Sequence, residues 1–144
     1  MSRLYLADTS VLVLAQRDSG VAARLDQLLA NRSLATCVTV DLEVGYSART
    51  PGEHAAIKRD RELLFVDLPV TPAVCERARD IQSRMATKSQ HRAAGAFDVL
   101  TAAVADVHGA VILHNDADFE HISSITGQPV ERIAASTGTW LKAD

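Results

Sequence analysis

Ala110-Val111-Ile112-Leu113-His114-Asn115-Asp116-Ala117-Asp118-Phe119 decides the reading of the fold. Its first residues are apolar without alternation, which reads as a strand buried on both faces, and the Asn-Asp turn after it opens a new helix. The N-terminus repeats the grammar. Leu4-Tyr5-Leu6-Ala7 runs as a short strand into Asp8, and Thr9-Ser10-Val11-Leu12-Val13-Leu14 continues as an apolar helix. Each time an acid stands just past the carboxyl end of a strand, the edge at which open α/β sheets bind ligands.

Working outward, strands are expected at 3–7, 34–38, 65–68 and 130–134 beside the one at 110–113. Helices are expected near 9–16, 21–30, 40–48 and 54–64, with Pro51-Gly52 read as punctuation before the last of these. Thr71-Pro72 starts a long helix, Pro72 suiting a first helical position, and Val74, Ala78, Ile81 and Met85 give it an apolar stripe. Asp98 begins Val99-Leu100-Thr101-Ala102-Ala103-Val104, apolar almost all round and therefore a central helix, which Gly109 ends. This β-then-α alternation describes a three-layer α/β/α sandwich around a mainly parallel sheet. At 144 residues and 47% hydrophobic, the chain suits one domain over 1–144 with a polar tail, Lys142-Ala143-Asp144, at its end. No stretch reaches the roughly 20 apolar residues of a membrane span, and the N-terminus lacks a signal-peptide pattern, so a cytoplasmic protein is expected. Cys37 and Cys75 have no metal spacing and read as reduced thiols.

Four acids, Asp8, Glu43, Asp98 and Asp116, all occupy strand ends or first helical turns. Singly, each suits a helix cap or a charge favoured by the helix dipole. Jointly they pose a different problem. Carboxylates gathered at one sheet edge raise each other's pKa unless a cation lies among them, and hard oxygen ligands suit Mg²⁺ or Mn²⁺. Asp118 is a further ligand candidate, with capping of a helix from Phe119 as its alternative role.

The formal net charge of −3 does not exclude nucleic acid, because setting aside the four acids leaves 14 acids against 15 Lys and Arg. Arg77, Arg79, Arg84, Lys88, His91 and Arg92 cluster in the segment running into Asp98. With Glu76 and Asp80 interspersed this is either a solvated helix face or a phosphate contact, the latter resting on Lys88, His91 and Arg92. Few aromatic residues lie near it, so base stacking is not expected there. His114 could touch a phosphate or a metal, or be packed locally.

Asp8-Thr9-Ser10-Val11-Leu12, the isolated Glu43, Phe97-Asp98-Val99-Leu100-Thr101-Ala102-Ala103 and Asn115-Asp116-Ala117-Asp118-Phe119 together resemble the ordered signature of PIN-domain nucleases, most closely VapC-type toxins of toxin-antitoxin pairs. The resemblance implies Mg²⁺- or Mn²⁺-dependent RNA cleavage, restraint by a cognate VapB-type antitoxin, and frequent homodimerisation. It implies Asp8, Glu43, Asp98 and Asp116 as the catalytic acids and Asp118 as an auxiliary metal ligand. It implies Ser10 as a hydroxyl near the site, with Thr9 and Asn115 as further supporting residues beside the acids. One departure stands out: many members carry Thr or Ser two positions before the fourth acid, where this chain has His114.

Other chemistries find less support. His108, His114 and His121 lack HxxxH spacing, Ser10 lacks a GxSxG turn, and no Gly-rich phosphate loop occurs. A Mg²⁺-binding phospho-acceptor module would need a lysine beyond a late strand, and only Lys142 follows Val130. A non-catalytic binding domain that keeps the acids as caps is the other alternative.

Overall fold

The computed structural model describes residues 3–134, and the polar tail lies outside them. In chain order the elements are β1 (Tyr5–Ala7), α1 (Thr9–Ala15), α2 (Ser19–Ala30), β2 (Leu34–Thr36), α3 (Val38–Tyr46) and α4 (Pro51–Leu64), then β3 (Val66–Asp67), α5 (Pro72–Thr87), α6 (Ala96–His108), β4 (Val111–His114), α7 (Ala117–Thr126) and β5 (Val130–Arg132). The strands form one sheet in the order β3-β2-β1-β4-β5, and every neighbouring pair is parallel. Parallel neighbours need long crossovers, which the helices supply. From β1 the chain builds outward through β2 and β3, then crosses to the other side for β4 and β5. The order therefore reverses between β1 and β4, the place where ligands bind in such sheets.

Strand pleating sorts the core into two layers. Ala7, Leu34 and Leu113 face Val11 and Leu14 of α1 and Val21 and Leu25 of α2. Leu6, Ala35 and Ile112 point the other way, into Val40, Val74, Ile81, Met85, Phe119, Ile122 and the alanine-rich stretch of α6. Ala102, Ala103 and Ala105 are fully buried, and such small side chains let α6 lie close against the sheet and against α5. The expected stripe on α5 is present, with Val74, Ile81 and Met85 buried. Among the described residues no helix is long and apolar enough to cross a membrane.

Two expected boundaries shift for identifiable reasons. The strand expected at 34–38 stops at Thr36, the last residue paired to β3. Cys37, with extended backbone at φ −144°, is the N-cap of α3, so β-branched Val38 is helical. Tertiary pairing overrides the strand preference of Val38-Thr39-Val40. Pro51-Gly52, read as a break, instead opens α4: Pro51 is its first residue, and Thr50 Oγ1 accepts the Glu53 N–H at 3.0 Å. Proline costs nothing at that position because its missing N–H had no helical partner.

Gly109 carries the chain from α6 into β4 in the left-handed region at φ 70°. A side chain there would meet no neighbour, so the cost of one is conformational alone. Gly109→Ala is expected to destabilise the fold by about 1 kcal/mol without altering metal binding. Urea unfolding would test this, and an unchanged midpoint would mean the turn is not strained.

Candidate metal centre

β1 and β4 are paired with Ala7 opposite Leu113, and the Asp8 N–H continues the ladder to the Leu113 carbonyl at 2.9 Å. The turns after these two strands are thereby held side by side. α6 runs back along the sheet to reach β4 through a tight turn, so its first turn, with Asp98, lies at the same carboxyl edge. Glu43 sits in the second turn of α3 rather than the first, where Asp41 stands instead. Helical side chains lean toward the N-terminus, which carries Glu43 back up to that edge.

The local contacts show how the carboxylates are held. Asp8 is buried and caps α1, its Oδ2 accepting the Ser10 N–H at 3.1 Å and the Ser10 hydroxyl at 2.7 Å. Ser10 Oγ in turn accepts the Asn115 N–H at 2.9 Å and so ties the two turns together. Asn115 contributes its backbone to that link. Asp116 caps α7, its Oδ1 accepting the Asp118 N–H at 3.0 Å. The capping role considered for Asp118 thus belongs to Asp116, two residues earlier, because α7 begins at Ala117 rather than Phe119. Thr9 Oγ1 donates to Glu43 Oε1 at 3.2 Å. Asp8 and Asp116 are thus caps and candidate ligands at once: a carboxylate has lone pairs enough to hold a helix end and still face a cation.

Electrostatics record the crowding. Burial pushes the Asp98 carboxyl up to about 8, helped by a hydrogen bond with Asp118 and by the charges of Asp8, Asp116 and Asp118. Burial also raises Glu43, against the lowering effect of its Thr9 hydrogen bond and with repulsion from Asp8 and Asp116. Asp98, Asp116 and Asp118 each offer an oxygen, all within 4.8 Å of one another. Oxygens on one octahedral Mg²⁺ lie about 3 Å apart when adjacent and about 4.2 Å when opposite, given bonds of roughly 2.1 Å. The trio therefore fits around such an ion with small side-chain adjustments. Asp8, expected as a ligand, stands outside this tight trio but near enough for its charge to act on Asp98 and Glu43.

Two other expectations meet different fates. His114, offered as a substrate contact, has no exposed surface: its ring packs at 5.5 Å from Phe119, and Nδ1 accepts the Asp116 N–H at 3.2 Å. Burial holds its pKa below the usual imidazole range, outweighing the pull of Glu120. A neutral ring sealed in the core cannot grip a phosphate, so that role is withdrawn. Lys88, His91 and Arg92 are exposed in the segment between α5 and α6, and no salt bridge engages them among the described residues. Arg77 is spent on Asp80 and Asp106, and Arg84 on Asp80.

A supporting chain went unread in the sequence. Thr101 Oγ1 donates to the Phe97 carbonyl at 2.8 Å, so at 2.6 Å it must accept from Thr39 Oγ1. Thr39 therefore takes its own hydrogen bond from Cys37 Sγ at 3.1 Å. This buried relay fastens α3 to the first turn of α6 beside Asp98. Its sequence signal was the threonine at 101 within the apolar run Val99–Val104 of α6.

Comparison with known proteins places these features in context. A family model described as PIN domain matches residues 5–125. Ribonuclease VapC21 of Mycobacterium tuberculosis is 40% identical over 138 residues, covering 94% of this chain and 97% of its own. Ribonuclease VapC51 of the same organism is 38% identical, covering 92% and 95%. Among solved structures, VapBC2 from Rickettsia felis, bound to a DNA fragment from its promoter, superposes with a TM-score of 0.75 at 15% identity, over 91% of this chain and 99% of that one. DNA-bound VapBC from Salmonella typhimurium gives 0.74 at 17% identity, over 92% and 98%. At those identities the structural likeness speaks to the fold.

In metal-free protein the folded state holds the Asp98 proton up to about 8, whereas the unfolded carboxyl releases it near 3.8. Over that window the fold binds more protons than the unfolded chain, so stability falls as pH rises and is greatest toward the acid end of it. Asp98→Asn is expected to flatten this decline in the thermal midpoint, measured in chelator. A slope as steep as the parent's would place the proton elsewhere.

Proposed function

Because the chain belongs to the PIN-domain family, in its VapC-type branch, we propose that it is a divalent-metal-dependent endoribonuclease that acts as the toxin of a toxin-antitoxin pair. The observation that carries the reading is the carboxylate cluster at the β1/β4 switch point, whose charge and donor set suit a hard divalent cation. Mg²⁺ or Mn²⁺ is the ion proposed, held by Asp98, Asp116 and Asp118 with Asp8 beside them. Bound there, such an ion supplies Lewis acidity toward a phosphodiester oxygen and lowers the pKa of a ligated water.

The chain's own groups do the rest. Glu43, with a raised pKa and one oxygen steadied by Thr9, is placed to orient the attacking water and accept its proton. Ser10 holds Asp8 and the Asn115 turn in fixed relation, so the two strand-end acids keep their geometry as substrate enters. Lys88 and Arg92 offer exposed positive charge, and His91 an exposed hydrogen-bonding ring, for the RNA backbone. Hydrolysis by water leaves a 5′-phosphate and a 3′-hydroxyl and does not use the ribose 2′-hydroxyl as nucleophile.

For protein partners, α3 presents Val38, Leu42 and Tyr46 at successive i+4 positions, exposed by 45%, 58% and 92%. An apolar helical stripe left in solvent is a surface for another chain. A VapB-type antitoxin is the proposed occupant, and a homodimer the proposed assembly of the toxin. The site and its place in the cytoplasm are part of the same reading.

The test is cleavage of defined oligoribonucleotides with Mg²⁺ or Mn²⁺, with and without chelator, followed by mapping of the cut ends. Asp98→Asn and Asp116→Asn are expected to lower the rate by more than the roughly 100-fold that loss of a mere supporting group costs. Parental turnover by either variant, freed of contaminating nuclease, would overturn the assignment.

A further inference from the structure

The turn between β4 and α7 is held by an unusual run of side-chain acceptors. Ser10 Oγ takes the Asn115 N–H at 2.9 Å, His114 Nδ1 the Asp116 N–H at 3.2 Å, and Asp116 Oδ1 the Asp118 N–H at 3.0 Å. His114 is the anchored member of the three. Its carbonyl accepts the Ile133 N–H at 2.8 Å, its backbone is paired to Arg132 in the sheet, and its ring lies fully buried against Phe119. We infer that His114 is a positioning residue, whose Nδ1 lone pair sets the orientation of Asp116 and, through it, of Asp118 toward the proposed metal. The inference deepens the metal-site reading above and rests on it.

The chemistry constrains the ring. A backbone N–H only donates, so Nδ1 must be unprotonated, and a neutral imidazole then carries its proton on Nε2. Nε2 is buried with no hydrogen-bond partner among the described residues. A core histidine kept for packing alone would be better replaced by an apolar ring, since an unpaired buried N–H is costly. The retained nitrogen that does have a partner is the one facing the backbone of Asp116. The result is a hydrogen bond from residue i+2 to a side chain at i, the turn geometry that a short polar side chain would otherwise provide. It is built here from a group whose backbone and ring are both immobilised.

Two substitutions separate positioning from packing. His114→Asn keeps an acceptor near Nδ1 and loses the ring; His114→Phe keeps the ring and loses the acceptor. Mn²⁺ affinity by calorimetry and thermal midpoints in chelator are measured for both. The inference expects a crossover: the Asn variant loses stability yet binds Mn²⁺ within about threefold of the parent, while the Phe variant keeps stability and loses roughly 10-fold or more in affinity, as removal of a group that orients a ligand does. Nitrogen-15 spectra of the metal-free parent should show Nδ1 without a proton and Nε2 with one. Parental affinity in the Phe variant, affinity that simply follows stability in both, or a protonated Nδ1 would each overturn it. A parent that binds no Mn²⁺ overturns the metal reading together with this one, an outcome distinct from a parent that binds and a Phe variant that binds equally.

Discussion

Carboxylates brought together where β1 and β4 end repel one another, and burial removes the water that would screen them. Burial above all, with the Asp118 hydrogen bond and the neighbouring charges adding to it, lifts Asp98 to about 8. What makes the arrangement tolerable is the direction of the backbone around it. α1, α3 and α7 begin where their preceding strands stop, and α6 is laid antiparallel to β4, so four helix N-termini converge on this edge. Each brings partial positive charge and free N–H groups to the place where negative charge accumulates. The divalent cation proposed for this site would complete a compensation the fold has already begun.

Capping and the proposed ligation, set against each other as readings of single residues, are compatible in Asp8 and Asp116. Asp8 and Asp116 hold the first turns of α1 and α7 through one oxygen each. That bond fixes the carboxylate's rotamer, and a fixed carboxylate pays less entropy to meet an ion than a free one. The Ser10 bridge extends the logic between strands, because it couples the Asp8 carboxylate to the backbone of a turn 105 residues away. Folding of the sheet and formation of the site are in this sense the same event.

Charge in this molecule is compartmentalised. The acids that make the total negative are largely gathered at the switch point, while two arginines of α5 are already paired, Arg77 with Asp80 of the same helix and with Asp106 of α6, and Arg84 with Asp80. Lys88, His91 and Arg92 at the end of α5 remain exposed. Exposed positive charge on Lys88 and Arg92 stands apart from the gathered acids, so the formal total of −3 says little about what any one part of the surface attracts.

Apolar runs ending in an acid were legible from the residues themselves: they are local, and burial on both faces leaves an unbroken hydrophobic signature in Leu4-Tyr5-Leu6-Ala7 and Ala110-Val111-Ile112-Leu113. So were the alternation of strand and helix, the stripe on α5 and the acids at the strand ends. The start of α3 at Val38 was not, because strand pairing rather than residue preference ended β2, and the earlier start puts Glu43 in the second turn of α3 instead of its first. Nor was the fate of His114. Local sequence places it at a sheet edge where ligands gather, yet side-chain direction there depends on which face Phe119 and β5 cover. The residues alone named the candidate acids and the elements that present them. The tertiary structure decided that β1 and β4 are neighbours, which carboxylates form the tight trio and which ring is sealed beneath them, since pairing order and packing join parts of the chain that no local pattern connects.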